Sequence, residues 1–452
     1  MKLGSPSAAA ILTAVALVAL AGAGIWYSTS PPPPGPAPET TDFSTVRALE
    51  LVEELAERPH PMGSAEHERV RAVVARTLAD MGLSVEHQQT TTVRMYARAG
   101  AAGPIRAGRV HNLLARIPGT DSTGAILLAS HYDSVPAGPG AADAASCVAA
   151  ILEAVRALRE GPPLRNDVIV LITDGEEDGL MGAQAFVEEH PWAKDVRLTL
   201  NFEARGTTGP SQMFETSPGN GRVVGEWAAA TPYPTGSSLG YEIYKRLPND
   251  TDFTVFKRLT TKGLNFAFID NVEAYHTPLD APGSLDPGSL YAHGSTALGL
   301  ARRFGDLDLN ALDARDAVFF SLPMGYAVSY STLWTVPLAV LLLAAWVVIV
   351  VVLRRRGAAS IGGIVLAAII SAVTVAAAVF AGLRYHRFPE WLHERWLAEA
   401  AISTNAAYAL AFVCAVVTVW LAVHALLRRK FAAHSLAAGS ALAGAGNAVS
   451  TV

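Results

Sequence analysis

The stretch from Ile126 to Asp143, which reads ILLASHYDSVPAGPGAAD, decides the fold of this chain. It begins as a run of apolar residues, typical of a buried strand, and then reaches His131, Tyr132 and Asp133. A loop rich in glycine and proline follows and leads to Asp143. A strand that delivers a histidine and two carboxylates to its C-terminal end indicates one half of a metal site, so the other ligands must come from elsewhere in the chain.

The segments around this stretch alternate between helical and strand patterns. Helices are predicted from Asp42 to about Glu57, from Ser64 to about Met81 and from Ala144 to Leu158. Another helix is predicted after Gly179 and ends at about Glu189, and a last one runs from about Pro287 to Phe304. Further strands are predicted at Leu83–Val93, Val110–Ile117, Val168–Ile172, Val196–Phe202 and Gly263–Ile269. This alternation predicts an α/β fold with a largely parallel sheet between two helical layers, in which ligands bind beyond the carboxyl ends of the strands.

Residues that commonly bind metals follow four of the predicted strands. These residues are His131 with Asp133, then Glu176 with Glu177, then Glu203, and finally His276. Each has an ordinary explanation when taken alone. His131 with Asp133 can be a surface or core pair, and Glu176 with Glu177 a solvated helix start. Glu203 can be a buried ion-pair partner, and His276 a turn residue. Their coincidence at four strand ends favours a shared metal site.

The chemistry of such a site suggests a role for each ligand. Two cations about 3.5–4 Å apart need a bridging carboxylate, and Asp143 is the expected bridge. His131 and Glu203 are assigned to one metal, and Glu177 and His276 to the other. Imidazole and carboxylate ligands without a nearby thiolate suit zinc in a hydrolytic site, although other divalent metals stay open.

Two neighbouring carboxylates are expected to assist the ligands. Asp133 is placed to accept the second ring proton of His131 and thereby fix its tautomer. Glu176 is left over beside a ligand and is the candidate general base. His60 is interpreted as a turn residue.

Composition excludes some classes of function and raises the question of a membrane. The 452 residues leave room for more than one folded unit, and 51% hydrophobic content is high for a purely soluble protein. A net charge of -5 without a long basic run gives no indication of a nucleic-acid partner. Cys147 and Cys414 lie in different contexts and predict no disulfide framework.

The excess of apolar residues lies in four segments that are long enough to span a bilayer. They are Ala8–Tyr27, Leu333–Leu353, Ile361–Leu383 and Ala406–Leu427. Basic clusters at 354–356 and 428–430 are expected to face the cytoplasm, with Trp391 and Trp396 as interfacial anchors on the other side. The first segment is predicted to be an uncleaved anchor, with a cleaved signal peptide as the alternative. Both alternatives place the domain that follows it outside the cytoplasm.

The ordered motifs resemble those of the co-catalytic zinc exopeptidases of the aminopeptidase Y and bacterial leucyl aminopeptidase kind. The similarity is carried by His131-x-Asp133, Asp143-Ala-Ala-Ser146, Asp174-Gly-Glu-Glu-x-Gly-Leu-x-Gly182, Asn201-Phe-Glu-Ala-Arg-Gly206 and Tyr275-His-Thr277. Glu203, Arg58-Pro-His-Pro61 and Asn249-Asp-Thr-Asp-Phe253 resemble more closely the membrane-anchored branch, namely vacuolar membrane protease and endoplasmic-reticulum metallopeptidase. The resemblance covers about Val46 to Tyr330.

This resemblance implies a mixed, eight-stranded sheet and supports the same ligands, with Glu176 as the base. It also implies that the segment around Asp250 and Asp252 contributes to the substrate side of the cleft, with a helix cap at Asp250 or Thr251 as the alternative. Ala144 stands where the family usually has asparagine, so one supporting hydrogen bond is expected to be lost. Cys147 stands where a small apolar residue is common in the family, so it is interpreted as a packing residue and not as a nucleophile.

The predicted organisation follows from these segments. It comprises an N-terminal anchor or signal peptide at 1–30, a proline-rich tether at 31–41, a catalytic domain at 42–312, a junction at 313–332, a three-helix membrane region at 333–430 and a flexible tail at 431–452. Relatives of the membrane branch usually carry more spans, so the chain is expected to be a short or a truncated form.

The resemblance implies a two-zinc metallopeptidase, anchored in the lipid bilayer, that removes N-terminal residues from peptides. Richness in alanine and arginine with few lysines suggests a bacterium of high genomic GC content. The lipid bilayer is therefore expected to be a bacterial cell membrane. A carboxypeptidase or another amidohydrolase is the alternative on the same metal core. A catalytically inactive receptor or scaffold is the alternative outside the enzymes.

Overall fold

A computed structural model describes residues 30–35, 39–98, 101–247, 249–259, 261–323 and 325–384, with isolated residues between 15 and 26 and at 437 and 440. The chain divides into two compact units. One unit is Ser28–Thr332, and the other joins Met1–Tyr27 to Leu333–Val452.

The first unit contains one mixed sheet. Its strands are β1 (Glu86–Arg98), β2 (Ala101–Ile117), β3 (Ala125–His131), β4 (Asp167–Thr173), β5 (Val196–Ala204), β6 (Gln212–Thr216), β7 (Thr235–Gly236) and β8 (Lys262–Phe268). They are arranged in the order β1-β2-β4-β3-β5-β8-β6-β7. The central strands β4, β3, β5 and β8 run parallel to one another, while β1, β2 and β6 pair with antiparallel neighbours. The predicted mixed, largely parallel sheet is confirmed.

Helices cover both faces of the sheet. They are α1 (Thr45–Leu55), α2 (Ala65–Asp80), α3 (Cys147–Arg159), α4 (Met181–Glu189), α5 (Gly221–Ala230), α6 (Ser238–Tyr244), α7 (Asp252–Phe256) and α8 (Pro287–Gly305). A short hairpin of β9 (Ala317–Leu322) and β10 (Tyr326–Ser331) completes the unit. Ser44 and Ser64 cap the first two helices by accepting hydrogen bonds from backbone N–H groups. Ser64 is the predicted start of its helix, and Ser44 lies two residues after the predicted start at Asp42.

The core explains why the central strands β3 and β4 are mainly apolar. Ile126 and Leu128 of β3 pack into one buried cluster, whereas Leu127 and Ala129 pack into another on the opposite face. Successive side chains of a strand point to opposite faces, so a strand between two helical layers carries apolar side chains on both faces. All seven residues of β3 and all seven of β4 are buried.

The parallel direction of these strands positions the polar residues. His131 ends β3, Thr173 ends β4, Glu203 is the last residue but one of β5, and Phe268 ends β8. The carboxyl ends of parallel strands meet at one edge of the sheet, so residues from distant parts of the sequence are brought together there.

The second unit contains apolar helices. They are α9 (Thr335–Arg355) and α10 (Ile361–Arg384). Within the described residues, the helical segment Thr332–Arg355, which includes α9, is long and apolar enough to cross a membrane. The part of α10 from Ile361 to Thr374 is a shorter apolar segment. Most of the predicted N-terminal span, the predicted span at Ala406–Leu427, Trp391, Trp396 and nearly all of the tail lie outside the described residues.

Candidate metal centre

Asp143 lies between two histidines from different parts of the chain. Its Oδ1 is 3.2 Å from Nε2 of His131, and its Oδ2 is 3.3 Å from Nε2 of His276. Each carboxylate oxygen therefore faces a different imidazole, as expected for a carboxylate that bridges two cations. The backbone of Ala141–Ser146 carries this residue into the site through a kink just before α3, where Asp143 and Ala144 have non-helical backbone angles and the Asp143–Ala144 peptide is cis.

Two glutamates complete the two ends of the site. Oε2 of Glu203 is 3.4 Å from Nε2 of His131, and Oε1 of Glu177 is 3.1 Å from Nε2 of His276. The two sets His131, Asp143, Glu203 and Asp143, Glu177, His276 each bring their ligand atoms within 4.8 Å of one another. Both sets share Asp143, so the structure brings together the five residues that the sequence proposes as metal ligands.

The geometry of the pair His276 and Glu177 fits a metal better than a hydrogen bond. Nε2 of His276 and Oε1 of Glu177 are both buried, and neither makes an aligned hydrogen bond within the described part of the chain. Buried polar atoms are nearly always hydrogen-bonded, so two adjacent exceptions call for another partner. Nitrogen and carboxylate oxygen ligands suit zinc, and these two atoms lie 3.1 Å apart.

His276 has an uncommon backbone conformation, with φ at +58°. Left-handed conformations of non-glycine residues are infrequent and often occur at functional sites. His276 follows β8 after a short turn, and Tyr275 stacks on its ring with the two ring centres 3.7 Å apart. The left-handed turn and the stacked tyrosine hold the imidazole toward Asp143.

Asp133 connects His131 to the loop that carries the glutamates. Its Oδ1 is 3.4 Å from Nδ1 of His131, whose ring also lies 3.0 Å from the backbone oxygen of Asp133. The same carboxylate accepts hydrogen bonds from the backbone N–H groups of Glu176 and Glu177, each at 3.1 Å. Asp133 therefore positions a ligand of each proposed metal, which is more than the tautomer-fixing role expected from sequence.

The ionisation of the ligands reflects their mutual attraction. Burial opposes protonation of His131, but Asp133, Asp143 and Glu203 raise its pKa well above the ordinary value. Burial likewise opposes protonation of His276, but Asp143 and Glu177 raise its pKa to about 9. The histidines thus occupy positions that the carboxylates make favourable for positive charge, which are also the positions where a cation would bind.

Glu176 lies beside this cluster without belonging to either bridging set. Burial is the main cause that raises its pKa well above the ordinary value, and the charges of Glu203, Asp252 and Glu177 act in the same direction. One of its carboxylate oxygens lies within 4.8 Å of ligand atoms of His131 and Glu177, and the residue lines the adjoining cavity. A carboxylate in this position can accept a proton from a group next to the ligands.

Asp280 supports the bridge and was not singled out by the sequence. Its carboxylate accepts hydrogen bonds from the backbone N–H groups of Ala142 at 2.7 Å and Asp143 at 3.1 Å. Burial raises the pKa of Asp280 to about 6. Its place four residues after His276 is the one signal that links it to the site. Ala144 is buried and carries no polar side chain, so Asp280 holds this turn through its backbone instead.

Glu203 is also held by neighbours that the sequence did not identify. Nδ2 of Asn201 donates to Oε1 of Glu203 at 3.1 Å, and Nε2 of His293 lies 2.9 Å from the backbone oxygen of Glu203. Burial lowers the pKa of His293 to about 4, so this ring is neutral. A neutral histidine that bonds to the backbone is a structural support rather than a metal ligand.

His60 and Cys147 do not enter the metal centre. His60 is buried, its backbone N–H donates to Oγ of Ser134 at 2.8 Å, and its Nδ1 lies 2.9 Å from the backbone oxygen of Arg58. Cys147 is a free, fully buried thiol whose pKa is raised by burial. Their contacts agree with a loop residue and a packing residue.

A cavity of about 800 Å³ opens beside the ligands. Asp143, Glu176 and Glu203 lie on one side of it, and Phe214, Ile243, Leu247, Ile269 and Val272 contribute an apolar wall. Asp250 and Thr251 also line it, as expected for the substrate side of the cleft. Thr251 is the residue before α7, but its side chain makes no capping hydrogen bond.

Asp252 differs from Asp250 and Thr251 because its side chain is fully buried. Its carboxylate accepts a hydrogen bond from the hydroxyl of Thr173 at the end of β4. Burial raises the pKa of Asp252 to about 7. Asp252 therefore ties α7 to the strand that leads to Glu176.

Comparisons with known proteins find similar sequences over the part of the chain that carries this site. Residues 112–301 match Peptidase family M28. Endoplasmic reticulum metallopeptidase 1 of Rattus norvegicus is 32% identical over 191 residues, which are 41% of this chain and 21% of that protein. Vacuolar membrane protease of Schizosaccharomyces pombe is 31% identical over 258 residues, which are 55% of this chain and 30% of that protein. The chain therefore spans about a fifth to a third of the length of these curated relatives.

A solved structure gives a more distant similarity. The aminopeptidase from Aneurinibacillus sp. strain AM-1 is 14% identical and superposes with a TM-score of 0.48, covering 58% of this chain and 94% of that chain. The matched segment 112–301 contains β3, β4, β5 and β8 and all five proposed ligands. Over residues 112–301 the chain is therefore similar to Peptidase family M28, and the relatives it resembles are named as a metallopeptidase and a membrane protease.

Proposed function

We propose that this chain is a membrane-anchored aminopeptidase that binds two zinc ions and removes N-terminal residues from peptides outside the cytoplasm. The position of Asp143 between His131 and His276 carries the proposal. A carboxylate whose two oxygens face two separate ligand sets is the arrangement that two neighbouring cations require.

The residues divide into two ligand sets. His131 and Glu203 would hold one zinc ion, Glu177 and His276 would hold the other, and Asp143 would contact both. Zinc bound in these positions would supply positive charge that polarises a peptide carbonyl and lowers the pKa of water.

Glu176 would move the proton in this reaction. Its buried carboxylate has a raised pKa, which makes it a stronger base than an exposed glutamate. It would accept a proton from the attacking water at its carboxylate and return that proton to the departing amine. Asp133 would hold Glu176 in place through the backbone N–H of that residue.

The charge of the cavity supports a substrate with a free amine. Glu176 and Asp250 line it without being proposed zinc ligands, and their carboxylates would attract a positively charged N-terminus. The apolar wall opposite these carboxylates gives an N-terminal side chain a surface to pack against. An N-acetylated peptide lacks the positive charge of a free N-terminus and would therefore bind more weakly in this cavity.

The membrane location is supported by both relatives and sequence. Endoplasmic reticulum metallopeptidase 1 and vacuolar membrane protease are named for membrane compartments, and Thr332–Arg355 is long enough to cross a bilayer. The basic residues at 354–356 would remain on the cytoplasmic side of this helix. The first unit would then lie outside the cytoplasm of a bacterial cell.

Hydrolysis of unblocked and N-acetylated peptides by the full chain in detergent tests this proposal. Zinc-loaded wild type is expected to cleave the unblocked peptide, and Glu176→Gln is expected to lower kcat by about 10²–10⁴-fold. Glu189→Gln is the matched control because Glu189 is exposed at the end of α4. Preference for the acetylated peptide would contradict an aminopeptidase, and wild type that cleaves neither peptide would contradict the peptidase.

A further inference from the structure

Arg205 brings a positive charge to a cavity whose other charged residues are acidic. It follows the end of β5, two residues after the proposed ligand Glu203. Among the described residues that line the cavity, Arg205 is the one basic side chain. The zinc ligands do not explain a guanidinium at this position.

An aromatic ring connects Arg205 to the proposed metal centre. Cζ of Arg205 lies 5.1 Å from the centre of the Tyr275 ring, and this ring stacks on His276 at 3.7 Å. The two spacings place the guanidinium within about 9 Å of the His276 imidazole. The face of Tyr275 holds the guanidinium by a cation–π contact and leaves its N–H edges free.

Arg205 also has no acidic partner among the residues that the structure describes. It forms no ion pair with any carboxylate of the described ranges, although Glu203 and Asp143 line the same cavity. Its side chain is exposed, whereas Glu203 on the preceding strand is buried. A guanidinium that is oriented by an aromatic face and open to the cavity is suited to bind a carboxylate through two parallel hydrogen bonds.

The distance limits where that carboxylate can lie on a substrate. One residue of extended chain spans at most about 3.3–3.6 Å. A gap of no more than about 9 Å between His276 and the guanidinium therefore corresponds to about one or two residues beyond the peptide bond under attack.

We propose that Arg205 binds a carboxylate of the substrate one or two residues beyond the scissile bond and so directs the enzyme to short peptides. This inference rests on the proposed peptidase function and deepens it by naming a determinant of specificity. The carboxylate has two potential sources, the free C-terminus of a short peptide and an acidic side chain, and the substrates below separate them.

Three peptides with the same free N-terminal leucine provide the test. Leu-Gly has a terminal carboxylate, Leu-Gly-amide has none, and Leu-Glu-amide has a carboxylate on its side chain alone. The zinc-loaded full chain is expected to cleave one or both carboxylate peptides with a kcat/KM about 10- to 100-fold above that of Leu-Gly-amide, mainly through KM. Preference for Leu-Gly assigns Arg205 to the C-terminus, and preference for Leu-Glu-amide assigns it to a side chain.

Arg205→Met is expected to remove this preference and leave cleavage of Leu-Gly-amide within about threefold of wild type. Arg205→Lys keeps the charge without the planar fork and is expected to restore part of the preference. Arg76→Met is the matched control, because Arg76 is a 55% exposed arginine on α2 paired with Glu54. If Arg205→Met lowers kcat/KM for all three peptides equally, Arg205 has a structural role and the inference is wrong.

Binding separates failure of this inference from failure of the proposed function. Glu176→Gln is titrated with Leu-Gly, Leu-Glu-amide and Leu-Gly-amide, and again with Arg205→Met added. Tighter binding of a carboxylate peptide that depends on Arg205 supports the inference even if wild type cleaves nothing. Equal binding of all three peptides, or no binding of any, overturns it even if wild type is an active peptidase.

Discussion

The carboxylate of Asp280 accepts a hydrogen bond from the backbone N–H of Asp143 at 3.1 Å. This contact fixes the position of Asp143, whose side chain faces both His131 and His276. Among the described residues, the carboxylate of Asp280 makes no hydrogen bond to either histidine ring. Its effect on a bound metal would therefore pass through Asp143. Residues that orient a metal ligand commonly affect metal affinity as well as structure.

Asp280→Ala is expected to weaken zinc binding by about 10- to 100-fold, because the turn that presents Asp143 loses both of its carboxylate hydrogen bonds. Competition with a chelator measures the affinity. Asp280→Asn keeps one acceptor oxygen and is expected to fall between the alanine variant and wild type. Zinc affinity that is unchanged in Asp280→Ala would show that the bridge is held by other contacts.

Asp252→Asn is expected to stabilise the metal-free protein at alkaline pH. Burial raises the pKa of Asp252 to about 7 from an ordinary value of 3.8, so the folded state binds this proton more tightly than the unfolded state. The contribution of Asp252 to stability is therefore present at low pH and is lost as pH rises through about 7.

Thermal unfolding of the full chain at pH 5 and pH 8.5 measures this effect. The Tm of Asp252→Asn is expected to exceed that of wild type at pH 8.5, by about 2–4 °C for each kcal/mol of ionisation penalty removed. Asp250→Asn, at an exposed position on the same segment, provides the control. A larger gain at pH 5 than at pH 8.5 would reverse the predicted sign.

Leu128→Ala is expected to destabilise the first unit by about 2–5 kcal/mol, because it leaves a cavity beside a fully buried position in β3. Leu239→Ala makes the same change at a side chain that is 53% exposed and is expected to cost much less. Denaturation monitored by near-ultraviolet circular dichroism compares the two variants. Equal losses would contradict the assignment of β3 to the core.

The central strands and the proposed ligands were predictable from sequence because one physical requirement governs both. β3 and β4 are buried on both faces and read as apolar runs, and the polar residues that follow them stand out against that background. His131 is identified for this reason although a lone histidine carries little information.

Residues that act through the backbone were not predictable in the same way. Asp280 supports Asp143 through two N–H groups, and Asp133 reaches the N–H groups of Glu176 and Glu177. Such contacts depend on how two loops meet in space, and the sequence indicates only that Asp280 lies four residues after His276 and Asp133 two residues after His131. The short elements β6, β7 and α6 between β5 and β8 were also missed, because segments of two to seven residues have too little periodicity to recognise.

The zinc content of the purified full chain tests the central claim most directly. Elemental analysis of wild type reloaded with zinc is expected to give two ions per chain. Glu203→Ala and Glu177→Ala, each of which removes one terminal ligand, are expected to retain about one ion, and Asp143→Ala is expected to retain none. One ion or none in wild type, or two ions in Asp143→Ala, would contradict a site in which Asp143 joins two metals.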